Sequence, residues 1–342
     1  MPLSIGEGGS LAWQRLAVVN QHPRDLRIQF NEEEHSYAID GSKVGWSSCT
    51  QFLHNFFGHF DPDAIIKKMM ANPVKWKQSK YYGQTPEQIK AGWAANGEEA
   101  STAGTRMHLD IEYFYNSSHF EELWRQKGKA LAIPAAVFDK SVAAMAKDDN
   151  WTPNESPEWN MFKAYQEKIG SKMIPFRTEW LVFNERIKVA GSIDMLYMKK
   201  DGTYAIYDWK RAKEIKMENR FQSGLGPVMH LPDTNYWHYS LQLNVYRMIL
   251  KEKYDMDVNE LALVVLHPNH PTFQVVKVNI MEDEVNAMFD CRLRALARPG
   301  NDGTNPIVIF AGEEELDLEE LPPATASTAS TASTASGWLG DD

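Results

Sequence analysis

The chain has 342 residues, 43% of them hydrophobic, a net charge of −10 and a mean hydropathy of −0.46, which leaves room for a substantial core in one large domain or two small ones. No run approaches the roughly 18 to 20 apolar residues of a membrane span, and residues 1–20 lack the basic-then-apolar order of a secretory signal, so no membrane partner and no secretion are expected. The same segment carries Glu7 and a single Arg, Arg15, unlike a transit peptide rich in Arg and poor in acids, and the expected location is intracellular, in the cytoplasm or a host-cell compartment.

The acidic balance is unevenly spread. Eight acids (Glu313, Glu314, Glu315, Asp317, Glu319, Glu320, Asp341 and Asp342) lie beyond residue 310 with no Lys or Arg among them, and subtracting those eight from −10 leaves −2 for the body. A near-neutral body can carry a basic face, so the net charge does not exclude a nucleic-acid partner. The two cysteines, Cys49 and Cys291, cannot form a CxxC-type metal site and read as buried thiols in a reducing compartment.

In chain order, a short helix is expected around Leu11 to Val19, within an N-terminal extension of residues 1–21. A hairpin follows: Ile28-Gln29-Phe30, then Tyr37-Ala38-Ile39 and the turn signal Asp40-Gly41. Ser47 and Ser48 are hydroxyl caps for a helix over Cys49 to Phe60, and Asp61-Pro62 opens another through Ala71. Pro86 to Phe114 reads as helix interrupted near Asn96-Gly97 and Gly104, and residues 147–159 as a polar loop before a helix to about Ile169. The texture then changes to strands. Thr178 to Phe183, Ile187 to Met198 and Thr203 to Lys210 are expected to form a meander, with Asn184-Glu185-Arg186 and Asp201-Gly202 as turns and Gly191 marking a bulge or a close approach. Helix spacing over Leu241 to Tyr254, strands over Leu261 to Leu266 and Phe273 to Ile280, and an amphipathic helix over Glu282 to Ala297 complete a domain of residues 22–310. The expected class is α/β or α+β, with a central mixed sheet containing an antiparallel meander and flanked by helices. Residues 311–342 are an acidic run followed by Thr-Ala-Ser units, with no means of building a core, and are expected to be a disordered tail. That tail can serve as a tether or as a contact for a protein partner.

The chemistry concentrates in the meander. Asp208 and Lys210 are two apart on a strand, so their side chains share a face while Trp209 points the other way. Asp194 and Asp208 are symmetric about position 201, which makes direct opposition across the Asp201-Gly202 turn natural. Two carboxylates that close repel unless protonated or bridged by a cation, and hard oxygen ligands favour Mg²⁺, with Mn²⁺ as substitute. Alone, Asp-Trp-Lys is a short signal that a surface ion pair would equally explain.

In context, the segment resembles the PD-(D/E)xK nuclease superfamily and its RecB-like exonuclease branch. That branch has an acid ending one strand and an acid-x-lysine on the next, as in Asp194 and Asp208-Trp209-Lys210, then a Gln-x-x-x-Tyr helix motif, as in Gln242 and Tyr246. It also has an upstream Gly-Thr and histidine helix, as in Gly104-Thr105 and His108, and an N-terminal Ser/Thr motif, as in Ser48 and Thr50. These stand in the family's order over about residues 45–250; the proline of the family name is replaced by Ile193. The resemblance implies a restriction-endonuclease-like core and a metal held by His108, Asp194, Asp208 and the Trp209 carbonyl. Lys210 would be catalytic, with Gln242 and Tyr246 supporting the site or contacting DNA. It implies hydrolysis of DNA with free ends or single-stranded regions, in replication, recombination or genome processing. An endonuclease on DNA or RNA and a non-catalytic nucleic-acid-binding protein on a nuclease fold are the alternatives.

Other residues keep two readings each. Glu179 is a further acid near the metal or a solvated strand end. Glu112, at i+4 from His108, is its hydrogen-bond partner or a helix-surface glutamate. The segment from Lys75 to Tyr82 suits single-strand stacking and phosphate contact or is a helix end with a packed Trp. Lys210, Arg211, Lys213 and Lys216 add positive charge beside the site. His267 and His270 sit on a loop with no nearby cysteine or acid cluster, a weak basis for zinc.

Overall fold

In the computed structural model, residues 15–116 and 155–298 are described. Helix α1 (Arg15–Val19) precedes a hairpin of β1 (Ile28–Asn31) and β2 (Ser36–Ile39). Then come β3 (Ser47–Ser48), α2 (Cys49–His54), α3 (Pro62–Met70), α4 (Pro73–Lys77) and α5 (Pro86–Asn116). The second described stretch runs α6 (Pro157–Lys168), β4 (Ile174–Asn184), β5 (Val189–Met198), β6 (Tyr204–Lys210), α7 (Asn235–Tyr254), β7 (Val258–Val265), β8 (Gln274–Val278) and α8 (Glu282–Leu296). Most of the N-terminal extension, the polar loop up to residue 154 and the whole acidic tail lie outside the described residues.

The sheet is mixed, as expected. β4 pairs antiparallel with one edge of β5. On the other edge, β3 runs parallel at Val189 and Ala190, while β6 runs antiparallel from Met195↔Tyr207 to Met198↔Tyr204. β6 then pairs in parallel with β7, and β7 antiparallel with β8. Parallel β6 and β7 need a crossover, and α7 supplies it. The β5–β6 register is symmetric about residue 201, where Gly202 at φ +86° takes the left-handed conformation that side chains resist.

Period-two alternation sends side chains to two cores. Ile206, Leu261 and Leu263 meet α2, α7 and α8 on one face. Ala205, Tyr207, Trp209, Ala262 and Val264 meet α5 and α6 on the other. Helix α7 lies between the sheet and α2 and α8, so Leu241, Leu243, Val245, Met248, Ile249 and Leu250, pointing around much of its circumference, are all buried. Arg292 of α8 is buried and donates to the Ile187 and Gly45 carbonyls and to Ser47 Oγ, clamping short β3 beside β5.

Several boundaries differ from the sequence reading. α5 is a single 31-residue helix, uninterrupted at Gly97 or Gly104. A helical glycine costs only about 1 kcal/mol, which burial of Met107, Ile111 and Tyr115 outweighs. α2 stops at His54 because Asn55 turns its side chain back onto the Gln51 and Phe52 carbonyls. α4 went unpredicted, although Asn72 caps it with Pro73 in its first turn. α6 starts inside the expected loop, where Ser156 accepts from the Trp159 N–H. β4 begins at Ile174 rather than Thr178, and α7 at Asn235 rather than Leu241.

Candidate active site

Strands β5 and β6 part company where the acids are. Their paired ladder ends at Met195↔Tyr207, and beyond it the Trp209 N–H donates to Asp194 Oδ2 at 3.0 Å. A side-chain carboxylate thus takes the place of a strand acceptor, which satisfies an otherwise orphaned donor. The splay opens a cleft between the strands, entered by α5 from one side and α7 from the other.

From α5, His108 reaches into this cleft. Its Nε2 lies 3.0 Å from the Trp209 carbonyl oxygen, and its Nδ1 lies 3.3 Å from Glu179 Oε1 and 3.6 Å from Asp194 Oδ2. Glu179 is therefore the nearer of two acids at the histidine, and it belongs to the middle of β4, not to a strand start. Its φ of 41° is rare for a side-chain-bearing residue and costs of order 1–3 kcal/mol, the kind of strain that gathers at functional sites. Ser192 Oγ donates to Glu179 Oε2 at 2.9 Å and holds the strained carboxylate in place. Glu112 is half-buried and makes no hydrogen bond to His108; one helical turn separates them along α5, whereas Glu179 faces the ring across layers.

Asp208 and Lys210 project to the α7 face, opposite Trp209, which is buried against Tyr115, Phe162 and Tyr165. Lys210 Nζ forms a close ion pair with the buried Asp208 carboxylate, 2.7 Å from its Oδ2. The ammonium also sits 4.6 Å from the centre of the Tyr239 ring, a cation–π contact. Tyr239 went unread in the sequence, although it is three residues from Gln242 on the same helix. Gln242 Nε2 donates to Tyr246 Oη at 3.4 Å. Tyr246 is buried over Gly191, where an added Cβ would come within 2.6 Å of its ring; the close approach expected at Gly191 is thus to an aromatic side chain.

Ser48 caps α2 by accepting from the Gln51 N–H while Gln51 Oε1 accepts from the Ser48 N–H. Its hydroxyl is thereby occupied structurally, and Thr50 stands half-buried in the first turn. Buried Cys49 lies close enough to Asp208 and Lys210 to feel both charges, and burial pushes its thiol well above the ordinary range. Both cysteines are free, Cys291 only half-buried. Arg211 does not offer loose positive charge: it donates to Glu158 at 2.7 Å and to Glu99 at 3.0 Å. His267 Nδ1 accepts from the Asn269 N–H, which commits that ring to its own loop.

The electrostatics are those of acids crowded out of water. Burial, then the charge of Asp194, pushes the Asp208 carboxyl up to about 6. Burial raises Asp194 as well, with Glu179 adding to it and His108 opposing. Burial, then Glu179, pushes Glu112 up to about 8. Burial alone would lower His108, but Asp194 and Glu179 outweigh it and hold the ring at about 9. Burial likewise opposes the charge on Lys210, and Asp208 and Asp194 overcome it, lifting the ammonium above its ordinary value. Lys210 is thus a committed cation here, suited to orienting an anion or a water rather than to removing a proton.

The cleft fits a divalent ion. His108, Glu179 and Asp194 each present a ligand atom, all within 4.8 Å of one another. The 3.0 Å between His108 Nε2 and the Trp209 oxygen is also the spacing of adjacent ligands in an octahedron with bonds of about 2.1 Å. Burial first, and the neighbouring acids after it, raise the Asp194 and Asp208 carboxyls, and a cation among them would offset both effects.

No protein-family profile and no curated protein matches this chain. Among solved structures, a candidate exonuclease from Eubacterium rectale aligns over 74% of this chain and 79% of its own, at 11% identity and a TM-score of 0.32. The protein SSO0001 aligns over 60% of this chain and 85% of its own, at 8% identity and a TM-score of 0.21. Scores this low carry no weight for either fold or chemistry. Among the described residues no helix is long and apolar enough to cross a membrane.

Proposed function

We propose that this protein is a metal-dependent nuclease of the PD-(D/E)xK type, close to the RecB-like branch, that hydrolyses phosphodiester bonds in DNA from free ends. The convergence of His108, Glu179, Asp194, the Trp209 carbonyl, Asp208 and Lys210 at one splayed strand pair carries this reading. His108, Glu179 and Asp194, whose ligand atoms lie within 4.8 Å of one another, would hold Mg²⁺ or Mn²⁺ together with Asp208 and the Trp209 oxygen. A bound divalent cation supplies Lewis-acid charge at the scissile phosphate and lowers the pKa of a water. Lys210, held as an ammonium, donates to the attacking water or a phosphate oxygen. Tyr239 steadies Lys210 from below, while Gln242 and Tyr246 wall the cleft.

The direct test is digestion of end-labelled linear and of circular DNA, single- and double-stranded, with Mg²⁺, Mn²⁺ or chelator. Metal-dependent loss of linear DNA with circles spared is expected. Cut circles would move the assignment to an endonuclease, and no cleavage of any substrate with either metal would end it.

His108→Ala is expected to raise the metal concentration needed for half-maximal activity, more for Mn²⁺ than for Mg²⁺, because imidazole is a softer ligand than a carboxylate. DNA binding measured in chelator should hardly change. Superimposable metal titrations for the variant and the parent would make His108 a packing residue.

A further inference from the structure

Helices α3 and α4, the turn after them and the start of α5 form an arm whose chemistry the catalytic cleft does not use. Residues 64–85 contain five lysines and no Asp or Glu, and Lys67, Lys68, Lys75, Lys77 and Lys80 are all exposed. The same arm displays aromatic faces. Tyr82 is 55% exposed and Phe60 56%; Trp76 meets Tyr82 edge-on at 6.1 Å.

This surface is held firmly. Ile66 and Ile89 are buried beneath it. Trp93 Nε1 donates to Tyr81 Oη at 2.8 Å, and Lys90 pairs with Asp63 at 2.8 Å, tying α3 to α5. The arm also has a rigid link to the cleft. Trp93 and His108 ride on one helix, 15 positions and hence about 22 Å apart along its axis, and the two positions differ by only about 60° around it, so they lie on the same side.

From this geometry we infer that the arm binds single-stranded DNA and leads a free strand toward the cleft; the direction of travel rests on the nuclease reading, whereas the binding does not. The five exposed lysines outnumber the arm's acids Asp61, Asp63 and Glu87, of which Asp63 is already paired with Lys90, and such an excess of positive charge attracts phosphates of any sequence. Exposed aromatic rings add a preference for unpaired bases, whose faces are free to stack, over a duplex whose bases already stack on one another.

The test uses the full chain in chelator, where binding is read by fluorescence anisotropy without cleavage. A labelled oligo(dT) of about 20 nucleotides, longer than common single-strand site sizes, is expected to bind at least about tenfold tighter than a blunt duplex of equal length. Trp76→Ala combined with Tyr82→Ala should weaken oligo(dT) binding by about tenfold or more. Lys68→Gln, Lys75→Gln and Lys77→Gln together should lower the slope of log affinity against log salt by about 2. These lysines are exposed, so this variant decides the matter if the aromatic pair disturbs folding. Equal binding of duplex and single strand, or parental affinity and salt slope in the lysine variant, overturns the inference. Hydrolysis of the p-nitrophenyl ester of thymidine 5′-monophosphate with Mn²⁺ needs only the cleft and separates the two readings. Arm variants that keep this activity while losing oligo(dT) support the arm. Arm binding in a protein that hydrolyses neither ester nor DNA removes the nuclease alone, and cleavage with unaltered binding in the arm variants removes the arm alone.

Discussion

Asp208→Ala and Lys210→Ala are each expected to lower DNA cleavage by about a thousandfold or more, as befits a preorganised charge lost at the reacting centre, while the chain stays folded. Asp208 is one of the proposed metal ligands, and Lys210 is the ammonium seated beside it in the cleft. The site is also costly to keep. Asp208 titrates near 6, above the ordinary carboxylate range, so the folded state favours its protonated form. The stability it contributes is present below its unfolded pKa of about 4 and is lost as pH rises through about 6. In chelator at pH 7, Asp208→Asn should therefore melt no lower than the parent, with any gain shrinking toward pH 4, while being as inactive as the alanine variant. Rates within a few-fold of the parent in either alanine variant, shown folded by circular dichroism, would remove the assigned roles.

Gly191→Ala is expected to destabilise the protein by about 1–3 kcal/mol, the usual cost of overpacking a filled core, and to depress cleavage along with it. The added methyl would stand 2.6 Å from Tyr246 Cε1 and Oη. Tyr246 is buried and linked to Gln242, so relief must come from moving the wall of the cleft. A double-mutant cycle isolates the contact. On a Tyr246→Ala background, Gly191→Ala should cost at least about 1 kcal/mol less than on the parent, the coupling expected of residues in contact. Equal costs on both backgrounds would mean that the strain lies elsewhere in β5.

These effects arise from both scales of organisation. The β5–β6 register followed from local chemistry, since Asp201-Gly202 forces a tight turn and period two then sets Asp208 and Lys210 on one face. The Gln242–Tyr246 pairing followed in the same way from i, i+4 spacing. What the sequence by itself determined were such neighbours within an element or across one short turn, together with the mixed, helix-flanked class of the sheet.

Contacts between layers had no comparable signal. Spacing along α5 pointed from His108 to Glu112, yet Glu179 takes that place, because a side chain's nearest partner across layers depends on where two elements cross. The same holds for Tyr239 beneath Lys210, and for Arg211, whose apparent free charge is consumed by Glu158 and Glu99 from two different helices. The left-handed backbone at Glu179 contradicts its residue type and is held only by the surrounding sheet. Tertiary structure alone decided these points, because each depends on the packing of elements far apart in the chain, and neither local propensity nor periodicity carries that distance.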